Sequence, residues 1–159
     1  MLTPEERRAH IERFRRFPDE LEALVSGLSE AELRTHFIEG EWTVAQNVHH
    51  LADSHMNAFN RLKLMLTEDH PTVRPYDQDA FALLADYDLP LEPSLTLLRG
   101  LHAHWCALFE SLTEAQWART GLNPESGETS CERNLIGYSK HCDAHLEQIT
   151  RTLAAGRSG

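Results

Sequence analysis

The sequence has no apolar run long enough to cross a bilayer, too few cysteines for a disulfide framework and no dense patch of positive charge. Its hydrophobic stretches fall well short of the roughly 20 residues a membrane-spanning helix needs, so no membrane partner is expected. The three cysteines, Cys106, Cys131 and Cys142, are odd in number and form no C-x-x-C pair. That argues against both a disulfide scaffold and a sulfur-ligated zinc knuckle, and leaves them as small core residues. Lysine and arginine total 15 against 25 aspartates and glutamates, a formal net charge of −10. The nearest basic group, Arg7 and Arg8 with Arg15 and Arg16, is interleaved with glutamates and cannot track a phosphate backbone, so nucleic acid is not an expected partner. The opening MLTPEERRAHIERF carries no apolar signal-peptide run, which points to the cytoplasm.

What the chain does have is histidine, ten in 159 residues. Neutral imidazole is the commonest protein ligand for metals, so this excess is the first compositional hint of function. Helix signals also recur, while strand signals do not. Thr3 to Glu6 (TPEE) reads as a capping box with Pro4 at the first helical position, opening a helix to about Phe17 that Pro18 interrupts or bends before DELEALVSGL continues to Gly27. Ser29 to Glu32, Thr43 to Gln46 and Thr113 to Gln116 repeat the capping pattern. A long helix runs from Thr43 to about Leu66, a third from about Pro93, and a last from about Glu132 to Ala155. Residues 67–93 read as a long connection with one short helix near Gln78 to Ala85, and Gly121 to Thr129 as a turn-rich loop. Four long helices with one long crossover predict an all-α four-helix bundle, one domain over residues 1–155 with a disordered tail at 156–159.

His141 and His145 stand at i, i+4, the spacing that stacks two imidazoles on one helical face so that both can reach one ion. They lie at the edge of the last helix's apolar stripe, where ordinary core-edge histidines are the competing reading. A third ligand must come from another helix, and the second long helix offers His49, His50 and His55. His55 lies within that helix's apolar stripe and is the inward residue by periodicity, or else a satisfied core histidine; His49 and His50 lie off the stripe on either side. Asp53, one turn from His50, is a candidate to orient a ligand or accept a proton, against a solvated helix face. Asn57 and Arg61 extend the polar arc as candidates to bind a polar or anionic group, or as contacts to the crossover. Trp42, Trp105 and Trp117 read as core aromatics rather than substrate platforms.

The string EWTVAQNVHHLADSHMNAFNRLKLMLTED, continuing through HPTVRPYD, resembles the DinB-like superfamily and its YfiT branch of metal-dependent hydrolases. The likeness extends to SLTLLRGLHAHW, NPESGE and GYSKHCDAHLEQI, from about Pro18 to Leu153. The resemblance implies a bundle holding one divalent metal, often nickel or zinc, on one histidine of the second helix and two of the last. Its H-L-A-D pattern selects His50, with His141 and His145 as the other two ligands. It also implies a cytoplasmic homodimer and a small-molecule substrate. The reaction implied is hydrolysis or, as in similar proteins, S-transfer of a low-molecular-weight thiol such as bacillithiol; a non-catalytic metal-stabilised dimer or sensor is the alternative of another class. The chain departs from the pattern at Asn123, Lys140, Ala144 and Gln148, where relatives commonly carry histidine or tryptophan around the ligands. Partners of that kind orient ligands and tune bound water.

Overall fold

A computed structural model describes residues 1–158 and shows four long helices with short elements between them. Helix α1 spans Pro4–Val25, α2 Glu30–Arg34, α3 Val44–Thr67, α4 Gln78–Phe81, α5 Glu92–Ser111, α6 Glu114–Trp117 and α7 Cys131–Ser158. Each of the four capping boxes forms: the Thr3, Ser29, Thr43 and Thr113 side chains accept from the backbone three residues on. Ser130 opens α7 in the same way, its Oγ accepting from Arg133 N at 3.1 Å. Among the described residues no helix is long and apolar enough to cross a membrane.

The long helices pack in a ring in the order α1, α5, α3, α7, so the consecutive α1 and α3 stand across the bundle from each other. His49 meets Ser94 and His55 meets His102, which makes α3 and α5 parallel neighbours. Parallel neighbours cannot be joined by a tight turn, and the 24 residues from Glu68 to Leu91 carry the chain back along the bundle.

Three sequence expectations are corrected. Pro18 does not interrupt the first helix, because α1 continues through it to Val25. Proline lacks the N–H that would bond the carbonyl four residues back, so Phe14 O is left without its helical donor. Residues 121–129 are not loop throughout: Thr120–Asn123 (β1) pairs antiparallel with Gly127–Ser130 (β2). Asn123 Oδ1 accepts from the backbone of Glu125 and Ser126 at the turn, and Gly127 takes φ +82°, a conformation only glycine adopts cheaply. Gly121 lies so close to the crossover that a Cβ would fall 2.9 Å from Pro71 O, and the two segments are tied by Leu122 N to Pro71 O and Val73 N to Leu122 O, each 2.9 Å. Finally, α7 runs past Ala155 through the expected tail to Ser158, with the Phe37 ring seated against Gly156; Gly159 lies outside the described residues.

The core divides into two apolar clusters. One gathers Phe17, Leu21, Val48, Leu51, Leu98 and Ile149, the other Phe14, Leu62, Met65, Trp105, Phe109 and Leu135. Along α3, α5 and α7 the boundary between them falls at His55, His102 and His141.

Candidate metal centre

Helix α3 presents His50, buried at 2% exposure, toward α7, where His141 and His145 sit one turn apart on the facing surface. Ring centroids lie 4.9 Å apart for His50 and His145, 5.5 Å for His50 and His141 and 4.3 Å for His141 and His145. One ring nitrogen of each of the three falls within 4.8 Å of the others. Burial makes the charged form unfavourable, so His50 and His145 are driven down to about 4 and His141 to about 3, with neighbouring imidazoles adding to the shift for His50 and His141. All three are neutral at physiological pH, as ligands must be.

The Asn47 amide, fully buried on α3, fixes the tautomer of His145. Its Nδ2 donates to Thr43 O at 3.0 Å, which turns Oδ1 toward His145 Nδ1 at 2.9 Å. An amide oxygen only accepts, so His145 donates from Nδ1 and keeps its lone pair on Nε2. That lone pair lies 3.1 Å from Nε2 of His141.

The three rings line a cavity of about 420 Å³ together with Gly40, Glu41, Trp42, Gln78, Asp79 and Gln148. Trp42 was expected in the core but stands on this wall, its ring 4.6 Å from His50, whereas Trp105 and Trp117 are core residues. Glu41 is held by Arg151 at 2.5 Å, and among the described residues no lysine or arginine lines the cavity. Tyr76, brought in by the crossover, places its hydroxyl 3.4 Å from His50 Nδ1, and burial pushes it up to about 12. Of the positions departing from the family pattern, Gln148 lines the cavity and Asn123 is spent on its turn.

Of the three residues named as reactive candidates beside His50, none lines this cavity, and Arg61 takes its other reading, a contact to the crossover. Asp53 accepts from Tyr87 Oη at 2.9 Å and borders a separate cavity of about 240 Å³ with His49 and Ser94. Asn57 donates to Asp53 O of its own helix at 2.9 Å, and Arg61 donates to Arg74 O at 3.0 Å, fastening the crossover to α3. The polar arc holds the fold's longest connection in place.

Sequence reasoning missed the role of His102 and left that of His55 open between an inward ligand and a satisfied core residue. Both are buried and hydrogen-bonded: His102 Nε2 lies 2.8 Å from His55 Nδ1, and His55 Nε2 3.2 Å from His141 Nδ1. His55 and His102 also approach Cys142 in a second group with metal-ligating atoms. There burial pushes the Cys142 thiol far above its usual range, and all four ring nitrogens of the two histidines have hydrogen-bond partners. The second group is a packed interior rather than a binding site.

Comparison with known proteins settles the family. The DinB superfamily model matches residues 13–149. The chain belongs to the DinB superfamily. Within it, the chain is 49% identical over 138 residues to a protein of Geobacillus kaustophilus named "putative metal-dependent hydrolase", covering 85% of this chain and 77% of that one. It is 37% identical to YfiT of Bacillus subtilis, covering 96% of this chain and 88% of the other. The solved structure of YfiT superimposes with a TM-score of 0.92 and is described as that of "a probable metal-dependent hydrolase with an unusual four-helix bundle topology". A mycothiol-dependent maleylpyruvate isomerase shares the fold at a TM-score of 0.70, 18% identity and coverage of 94% of this chain and 63% of the other. As a DinB-superfamily member the chain is a helical bundle whose named relatives are associated with metal-dependent hydrolysis.

Proposed function

We propose that this protein is a metal-dependent hydrolase that holds one divalent ion, zinc or nickel, on His50, His141 and His145 and acts on a small molecule. The observation that carries the reading is the convergence of three neutral imidazoles at the wall of one cavity. The donor set fits an ion: two imidazole nitrogens each about 2.0 to 2.1 Å from a tetrahedral centre stand about 3.3 Å apart, against 3.1 Å for Nε2 of His141 and His145. Three protein ligands leave a position free for a reactant, the pattern of catalytic rather than structural sites, and imidazole suits both zinc and nickel. When bound, the ion supplies Lewis acidity and lowers the pKa of a coordinated water toward about 7.

The chain's own residues set the rest. Asn47 keeps the lone pair of His145 aimed at the common point. Trp42 packs against the His50 ring, and the Tyr76 hydroxyl stands 3.4 Å from His50 Nδ1, where it can accept an N–H from that nitrogen and leave the lone pair on Nε2. The volume of about 420 Å³ suits a small molecule. Untagged protein should purify with close to one equivalent of metal, and the metal-loaded form should hydrolyse small esters or amides. The His145→Ala variant should lose both properties. Conjugation of a low-molecular-weight thiol to an electrophile, with no ester or amide turned over, would replace hydrolysis by S-transfer. Metal-dependent stability without any turnover would leave a structural role.

A further inference from the structure

His141 makes two contacts: Nε2 toward His145 and the cavity, and Nδ1 toward His55 Nε2 at 3.2 Å in the interior. His55 Nδ1 lies 2.8 Å from His102 Nε2, and His102 Nδ1 lies 2.8 Å from Phe14 O. The row therefore ends on a carbonyl, which can only accept. His102 must donate from Nδ1, so as a neutral ring it accepts at Nε2; His55 must then donate from Nδ1 and accept at Nε2, and His141 must donate from Nδ1. That leaves the lone pair of His141 on Nε2, the atom beside His145. The reverse order would relieve the facing lone pairs of His141 and His145, 3.1 Å apart at the cavity wall where water can solvate them, but would move the clash into the sealed interior, setting a ring lone pair against the Phe14 carbonyl at 2.8 Å; a charged ring is disfavoured there too, where His102 is 1% and His55 0% exposed.

The anchor has its own origin in sequence. Phe14 O is available because Pro18, four residues on, has no N–H to bond it. Helix α5 brings His102 to that vacated acceptor, and the Phe17 ring lies over both imidazoles, with centroids 5.2 Å from His102 and 5.4 Å from His55.

We propose that His55 and His102 are positioning residues: together with the carbonyl that Pro18 frees on Phe14, they hold His141 as the Nδ1–H tautomer and so keep Nε2 directed at the metal position. The inference rests on the reading of His50, His141 and His145 as ligands only for its consequence, because the tautomer itself is a property of the metal-free chain. Outer partners of ligating histidines are commonly worth 10- to 100-fold in metal affinity.

Nitrogen-15 NMR of the histidine rings in metal-free protein reads the tautomers directly. The expected result is Nδ1–H on His102, His55, His141 and His145. An Nε2–H signal from His141 would overturn the proposal, and this measurement needs no variant to fold. In His102→Phe the acceptor for His55 is lost, so His141 should populate both tautomers and zinc affinity, measured by chelator competition, should fall 10- to 100-fold. The His102→Gln variant returns an amide oxygen to the place of Nε2 and should recover both affinity and tautomer. A merely structural role would lower the melting temperature of both variants and leave the zinc affinity of the folded fraction unchanged, which would sink the proposal. Equal zinc binding by wild type and His145→Ala would instead overturn the metal reading, while the His141 tautomer still decides the row.

Discussion

His145 and His102 have the same ring, the same neutral charge state and the same kind of anchor, an oxygen accepting from Nδ1, yet they occupy opposite roles. The difference is what meets the second nitrogen. For His145 it faces a cavity and another lone pair; for His102 it faces an N–H of His55. An imidazole in this bundle is thus a candidate ligand or a link in a hydrogen-bonded row according to one neighbour, and His141 belongs to both regions. The contrast teaches that neither burial nor helical spacing distinguishes the two roles, since His50 at 2% exposure is nearly as buried as His102 at 1%.

The most direct way to break the comparison is to remove one member from each region. His145→Ala should reduce zinc affinity by more than the roughly 100-fold upper range for groups that only orient ligands, as read by isothermal titration against a competing chelator. If its loss is no greater than that of His102→Phe, the cavity and interior histidines are not different in kind. Metal removal sharpens the same contrast. At a free zinc concentration of about 100 Kd, a ligand of the folded state adds about 2.7 kcal/mol, and for a chain of this size each kcal/mol is about 2–4 °C. Chelation should therefore lower the melting temperature by about 5–10 °C, and His145→Ala should show no such shift.

The sequence carried the frame of this molecule well because helix signals are local. Four capping boxes, an i, i+4 histidine pair and long apolar stripes are set within a few residues of one another, and each forms. The hairpin after α6 was hidden because it is tied to distant Pro71 and Val73, and the fate of Asp53 because its partner Tyr87 lies on the crossover, whereas the crossover contact of Arg61 was one of its two readings. The row from Phe14 to His141 joins three helices and a backbone carbonyl, and no periodicity reports which of several buried histidines will be in line. Pro18 was the one visible signal. It reads as a helix breaker, whereas its structural consequence is an open acceptor.

Acid titration separates the two regions more gently. His102 is buried and driven down to about 4, below the usual 6.5 of an exposed ring, because burial outweighs the help of the Phe14 carbonyl. Between those values the unfolded chain binds a proton that the folded chain does not, so stability rises with pH there. The contribution is fully present above pH 6.5 and is lost as pH falls toward 4, at up to about 1.4 kcal/mol per pH unit for this group. Metal-free His102→Gln should accordingly show a shallower loss of stability than wild type from pH 6.5 to 4 in denaturant titrations. Identical slopes would mean that the row already carries a proton in the folded chain.

The smallest effect tests the origin of the anchor. In Pro18→Ala the new N–H can bond Phe14 O in the ordinary helical way, but a carbonyl has two lone pairs, so His102 shares the acceptor rather than losing it. An interior proline costs a helix about 3 kcal/mol, so the melting temperature should not fall, while zinc affinity should weaken by less than the roughly 10-fold minimum for losing an outer partner outright. A fall as large as that of His102→Phe would make the vacancy left by proline indispensable to the row. No fall at all would show that the second lone pair suffices, and that Pro18 shapes α1 without tuning the site.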